Sequence, residues 1–396
     1  MECLGTQCLT GTARLTRSLY IIPTGLMRKR ARILCPHMNL HAMYKTLYLG
    51  LDAHTRNCVL AAMDRTGDVV STEAFFTSES ALIAHVAGLP RRSKYLALEE
   101  SPLAGWIASA LRPYVTEVMV CDPLHNTLIS RGGNKDDFID AVKLCRLLRL
   151  GELKPIYHSE EDHRVDFKIS VQQYLRTRDD HTKLKNQIKA KYQQAGIVDV
   201  TESEVFTKSH RGRYLKRLPT KARRMILEHL YDRLDQTGQL RKKACATMEE
   251  LGKRYPEITQ FQRVPGIGTV GAHAFSAYVQ TPHRFATKQR LWTYCKLGIR
   301  ERSSVGKPLA YKRLDRSGAG VLKDLSYRCW LTSQQVPTPN EISLFYEASL
   351  QRTQNPTHAR LNTQRKVLAV LWTIWKNDVD YNPTLFYSLP CSVTVA

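Results

Sequence analysis

From Lys45 to about residue 160, short apolar runs separated by turn residues predict an α/β unit. Leu47 to Leu51 reads as a strand ending at Asp52, Asn57 to Met63 as a second, Asp64-Arg-Thr-Gly67 as a hairpin turn and Asp68 to Phe76 as a third. Helical spacing over Glu79 to Leu89 leads into a fourth strand, Tyr95 to Leu98, closed by Glu99-Glu100. Pro102 to Leu111 predicts a helix, and Glu117 to Val120 a fifth strand closed by Asp122-Pro123. Asp136 to Leu150 predicts an amphipathic helix with Phe138, Ile139, Val142, Cys145 and Leu148 on its apolar face. A three-stranded meander followed by alternating helix and strand predicts a mixed sheet covered by helices.

Beyond residue 160 the rhythm turns helical. Residues 161–260 hold few Gly or Pro, with Ile169, Leu175, Leu184, Ile188 and Tyr192 at roughly helical spacing. Lys221 to Tyr255 repeats the pattern through Met225, Leu230, Leu234, Leu240 and Leu251. Two long helices, packed as an antiparallel or intermolecular coiled coil, are the simplest reading. Phe261-Gln-Arg-Val-Pro-Gly-Ile-Gly268 then makes a tight turn into an apolar helix, Thr269 to Val279. The apolar run Val367 to Trp375 is too short for a bilayer, which requires about 18–20 residues.

Charge sharpens this division. The 396 residues carry 59 Lys+Arg against 36 Asp+Glu, a formal +23. Residues 1–44 contribute +5, residues 45–160 −1 and residues 161–396 +19. Such an excess calls for a polyanion, because cations that neutralise phosphates release counterions. The first 44 residues lack sustained periodicity and read as a disordered arm or an over-extended reading frame. Ten cysteines are scattered singly without zinc-type spacing, which fits a reducing compartment.

Acids gather at predicted strand ends: Asp52, Glu99 or Glu100, and Asp137 with Asp140 three residues apart on one helix face. Like charges so placed repel unless a divalent cation joins them, and hard oxygen donors suit Mg²⁺ or Mn²⁺. Each acid alone has a plain structural explanation; their order along the chain favours metal-assisted phosphodiester chemistry. In the basic half, Ser303 and Ser304 lie among Arg300, Arg302, Lys307, Lys312 and Arg313, where a serine could attack a phosphodiester or bind a phosphate. The bare backbone at Gly266 and Gly268, before a helix, is a second candidate phosphate contact.

These motifs together resemble one family. Tyr48-Leu-Gly-Leu-Asp52, Cys121-Asp-Pro123, Asn134-Lys-Asp-Asp-Phe-Ile-Asp-Ala141, Val264-Pro-Gly-Ile-Gly268 and Arg302-Ser-Ser-Val-Gly-Lys307 are similar to the DEDD-type transposases of the insertion sequence 110, 116 and 902 group. The resemblance runs from Tyr48 to about Pro383. It implies a RuvC-like, RNase H-like catalytic domain over 45–160 and a helical coiled-coil region over 161–260. A mostly α-helical transposase domain with a helix-hairpin-helix-like element would follow over 261–383, and a tail over 384–396. Carried over by residue, Asp52, Asp137 and Asp140 are catalytic and metal-binding, with Lys135 leading the pair. Alignment on Trp106 favours Glu100 over Glu99. The nucleophile corresponds to Ser304, although the family's serine precedes Gly and here Val305 intervenes before Gly306. The resemblance further implies Mg²⁺-dependent excision and insertion of an element's DNA, guidance by a noncoding RNA, a homodimer or tetramer, and a place in the bacterial cytoplasm at the nucleoid, with no membrane.

Three rivals share some of these features. An actin-like sugar kinase opens with a similar strand and hairpin but needs a second phosphate hairpin and a glycine-rich adenosine loop, and neither is evident. A metal-dependent junction resolvase would cut with water and leave Ser304 idle. A catalytically inactive nucleic-acid-binding protein would keep salt-sensitive binding without strand transfer.

Overall fold

A computed structural model describes residues 46–90, 93–123, 136–158, 162–200, 203–300, 303–304, 307–308 and 312–387, with no side-chain account of 162 and 303–308. The arm 1–44, Lys135, Arg302 and the tail from 388 lie outside the described residues. The chain forms two compact units that divide after Ile156.

In the first unit, β1 (Thr46–Ala53), β2 (Asn57–Asp64) and β3 (Val69–Phe76) form the expected meander. α1 (Glu79–Gly88), β4 (Ser93–Glu99), α2 (Ala104–Leu111), β5 (Glu117–Cys121) and α3 (Asp137–Leu150) follow. The sheet order is β3-β2-β1-β4-β5; β1 runs antiparallel to β2 and parallel to β4, and β5 is parallel to β4. Alternation along the strands supplies two faces. Leu47, Leu49, Leu51, Leu96 and Leu98 pack with Leu82 and Val86 of α1 and Ile107 and Leu111 of α2. The opposite face presents Tyr48, Val59, Ala61 and Met63 to Ala141 and Cys145 of α3.

Helix α3 begins where Asp136, extended, accepts a hydrogen bond from the Phe138 amide, and ends on Gly151 in the left-handed region. Its buried side runs through Ala141, Leu144 and Cys145. Phe138 and Ile139, expected on the apolar face, are 44% and 41% exposed, because only the later turns lie over the sheet. Contact is closest at Gly50: a Cβ there would stand 2.2 Å from the Ala141 carbonyl oxygen and 2.8 Å from the Cys145 nitrogen. The Cys145 thiol also donates to the Ala61 carbonyl across 3.1 Å.

The second unit opens with two long helices, α4 (Asp162–Gln193) and α6 (Lys221–Gly252), with short α5 (Lys208–Leu215) between them. They are antiparallel. Tyr192 near the end of α4 meets Tyr231 in the first half of α6, hydroxyl to hydroxyl at 3.1 Å, while Phe167 shares a core with Met248. The seam differs in part from the expected one. Ile169, Met225, Leu240 and Leu251 are exposed, and Phe167, Val171, Leu227, Tyr231 and Met248 are buried. The buried stripe on α4 advances by four residues, 167-171-175 and 184-188-192, as a 3.6-residue turn requires, and Ile169 falls on the other side.

The helices α7 (Glu257–Gln262), α8 (Thr269–Val279), α9 (Lys288–Tyr294), α10 (Gly320–Gln335), α11 (Glu341–Thr353), α12 (Pro356–Asn377) and α13 (Thr384–Tyr387) complete the unit. Among the described residues between α9 and α10 lie four short strands, β6 (Ile299–Arg300), β7 (Ser303–Ser304), β8 (Lys307–Pro308) and β9 (Arg313–Leu314). Phe167 and Val171 at the base of the helix pair join Phe261, Phe275, Leu368 and Ile374 in one core. Arg164 fastens it, 2.9 Å from Glu257 Oε1, which also accepts from the Ser276 hydroxyl at 2.7 Å. Removing one partner of such a buried pair would strand the other charge.

Gly50→Ala should destabilise the N-terminal unit by about 2 kcal/mol or more, since neither contacting group is a flexible side chain. Gly88→Ala, with open space around its Cβ, should cost nothing. Thermal unfolding of the two full-length variants checks this contrast.

Candidate metal centre and serine hairpin

Strand alternation and one close helix contact build the acidic site. Asp52 lies two residues beyond Gly50 on β1, in phase with the face that meets α3. Helix α3 delivers Asp137 and Asp140 from its first turn, where the helix dipole favours carboxylates. His54 follows Asp52 by two residues. Its Nε2 lies 3.4 Å from Asp52 Oδ2 and 3.9 Å from Asp137 Oδ1. One donor atom from each of Asp52, His54 and Asp137 falls within 4.8 Å of the others, a spacing that can hold a metal ion.

Burial pushes the Asp52 carboxyl above its usual range; the His54 ring opposes this, and the charges of Asp137 and then Asp140 add to it. The coupling places Asp140 within electrostatic reach of Asp52, although Asp140 also accepts an ion pair from Lys143 Nζ at 3.0 Å. A cation offsets this repulsion, so the donor set fits a divalent metal. His54 and Lys143 were not among the candidates read from sequence. For His54 the signal was its two-residue spacing from Asp52 at a strand's end, and for Lys143 its three-residue spacing from Asp140 in a helix.

The two glutamates part company in the sheet. Leu51 pairs with Leu98, so Asp52 and Glu99 occupy the next positions on adjacent parallel strands. Leu96 and Leu98 face α1 and α2, while Ala97 packs with Leu144 of α3; Glu99 shares the phase of Ala97. Glu100 follows the end of the strand, its amide donating to the Cys121 carbonyl at 2.9 Å.

In the second unit, the remaining candidates lie on and around two short hairpin ladders. β6 pairs with β9, setting Arg300 opposite Arg313; β7 pairs with β8, setting Ser304 opposite Lys307. Arg300 and Arg313 are exposed, and Lys312 is exposed beside them. Two cations directly across an antiparallel pair repel, which suits an anion-binding surface. The base of the ladder is tied by the Asp315 amide to the Gly298 carbonyl at 2.8 Å. Hydrogen bonds from Ser317 hold the Asp315 carboxyl below its usual range, and Arg300 contributes. Gly318, at φ +104°, closes the turn where a Cβ would stand 2.2 Å from the Tyr294 carbonyl oxygen.

The two turn glycines also differ. Gly266 has φ +78°, and a Cβ there would stand 2.8 Å from the Cys329 carbonyl oxygen, so a close backbone approach to α10 accounts for it. Gly268 caps α8 in an extended conformation with nothing within 4 Å of a Cβ, leaving its backbone accessible.

Residues 49–196 match the family model of DEDD-type IS110 transposases, and residues 258–347 match the model described as transposase IS116/IS110/IS902 family. The two matches together span more than half of the 396 residues. No curated protein matches the chain.

The raised Asp52 carboxyl gives a pH prediction. Between its unfolded value, near 3.8, and its raised native value, the folded state binds more protons, so stability falls as pH climbs through that window. In the absence of metal, Asp52→Asn should therefore melt above the wild type at pH 7, and the gain should vanish as pH falls below the unfolded value. Paired calorimetric scans in chelator across pH would show it.

Proposed function

Since the chain belongs to the IS110/IS116/IS902 family of transposases, we propose that it is a metal-dependent DNA recombinase in which an acidic centre and a serine divide the work. The observation that carries this is the convergence of donor atoms from Asp52, His54 and Asp137, with Asp140 electrostatically coupled. The five-stranded order β3-β2-β1-β4-β5, with acids at the ends of β1 and β4 and on the covering helix, supports a RuvC-like reading of the first unit.

Asp52, Asp137, Asp140 and a glutamate would hold Mg²⁺ or Mn²⁺. Strand register favours Glu99 for that place over the Glu100 of the family alignment. A bound divalent ion would supply charge neutralisation at the attacked phosphate. His54 orients Asp52 through its short approach and stands ready as a nitrogen donor. Lys143 holds the Asp140 carboxylate in place through its ion pair.

In the second unit the hydroxyl oxygen of Ser304 would attack phosphorus. The bond from phosphorus to one deoxyribose oxygen breaks, that oxygen takes a proton, and the strand remains esterified to the serine until the reverse attack by another hydroxyl joins new ends. Arg300 and Arg313, paired across their strands, would spread charge over the phosphate, with Lys312 next to Arg313 in sequence and Lys307 opposite Ser304 in its own ladder. The exposed backbone at Gly268 gives a phosphate contact at a helix start. Pairing of donor and target with a noncoding RNA, and assembly of two or four copies, belong to the same reading. Among the described residues no helix is long and apolar enough to cross a membrane.

Recombination between element ends and target, with flanking RNA and Mg²⁺ supplied, tests the proposal. Asp137→Ala and Ser304→Ala should each reduce product by about a thousandfold, and only the serine variant should retain wild-type metal affinity by calorimetric titration. Glu99→Gln should fall as far as Asp137→Ala while Glu100→Gln keeps most activity. Full activity of Ser304→Ala would remove the serine from the mechanism.

A further inference from the structure

A cavity of about 720 Å³ in the second unit is absorbed by neither candidate site. Its walls come from α9, the segment Leu297 to Ile299, α11, α12 and α13. Its lining holds four cations, Lys288, Arg352, Arg365 and Lys366, two aromatic rings, Trp292 and Phe345, and no carboxylate. Each lysine accompanies one ring: Lys288 Nζ lies 5.9 Å from the Trp292 centroid, and Lys366 Nζ lies 5.9 Å from the Phe345 centroid.

The architecture keeps these groups in place. The Trp292 indole donates to the Arg365 carbonyl at 3.0 Å, and Arg365 Nε donates to the Leu297 carbonyl at 2.9 Å. Those bonds join α9, α12 and the chain entering β6 around one opening. Among the described residues, Lys288 and Arg352 have no carboxylate partner. Burial and the nearby Lys288 charge push the Lys366 ammonium below its usual range, so like charges share a partly dry space. An anion satisfies this arrangement better than an apolar or cationic ligand would.

The occupant must combine negative charge with a flat apolar face. A nucleotide has both, and stacking on aromatic rings beside cations is how single strands are gripped without sequence readout. Ile299, on the cavity wall, is the first residue of β6, whose ladder with β9 borders Ser303-Ser304 in sequence. We propose that this cavity takes one unstacked nucleotide of a single-stranded segment, its phosphate between Lys288 and Lys366 and its base against Trp292 or Phe345. Holding a splayed nucleotide there would keep the strand beside the serine hairpin from re-annealing. The inference rests on reading the chain as a nucleic-acid enzyme, but it concerns a site apart from the acids and the serine.

Binding of the full-length protein to a fluorescein-labelled dodecamer of thymidines, its ribonucleotide counterpart, an abasic strand of equal length and a duplex tests it by anisotropy across salt. Lys288→Ala and Lys366→Ala should each weaken single-strand binding by about fivefold and lower the salt slope by about 0.7, leaving duplex binding within about twofold. The abasic strand should bind the wild type about tenfold more weakly than the thymidine strand. The arm, DNA or RNA, on which the loss falls identifies the strand. Folded variants, checked by their melting curves, that bind both single strands with wild-type affinity and slope would overturn the proposal. A wild type that binds neither single strands nor duplex would instead overturn the nucleic-acid reading beneath it.

Discussion

The first unit depends on one close contact, the seat of α3 on the backbone of β1 at Gly50. A strand can approach a helix so nearly only where it has no side chain, and here a single methyl would reach the Ala141 carbonyl. The same contact sets the height at which Asp137 and Asp140 meet Asp52. Packing and chemistry are thus joined in a few residues: Gly50 brings the helix down, Cys145 anchors it to Ala61, and the helix start carries two carboxylates to the strand end. Burial raises the Asp52 carboxyl, and the charges of Asp137 and Asp140 add to the rise.

The second unit answers a different demand. It holds most of the positive charge, and its larger core runs from the base of the antiparallel helix pair into α8 and α12, while a second cluster around Tyr192 and Tyr231 packs the far end of the pair. The short ladder bearing Arg300 and Arg313 is tied at its base by Asp315 and Gly318. The acids thus gather in a near-neutral sheet unit, and most of the positive charge belongs to the helical unit.

Much of this was legible from residue patterns. The meander, its turn at Asp64 to Gly67, the parallel strands and the long helices all follow from short-range periodicity, which the folded chain obeys. The misread positions share a cause. Phe138 and Ile139 look apolar enough to be buried, but the buried side of α3 begins at Ala141, a fact of tertiary placement. Ile169, Met225, Leu240 and Leu251 fall off the buried stripe for the same reason: composition marks them apolar, and only the partner helix decides which stripe is covered. The approach of Asp52 and Asp137 was legible because a strand end and a helix start are local signals. The position of Glu99 next to Asp52 depends on the register of β1 with β4, which no local pattern sets, and His54, one residue past the end of β1, lies against Asp52 through the turn that follows the strand.

The central claim is that acids from β1, β4 and α3 share one metal. Loading the protein with Fe²⁺ and generating hydroxyl radicals with ascorbate and peroxide maps that metal directly onto the backbone. Cleavage confined to the neighbourhoods of Asp52, Glu99 and Asp137 to Asp140, abolished by excess Mg²⁺ and by Asp52→Asn, is the result this account predicts. Cleavage elsewhere, or cuts that persist in Asp52→Asn, would contradict it.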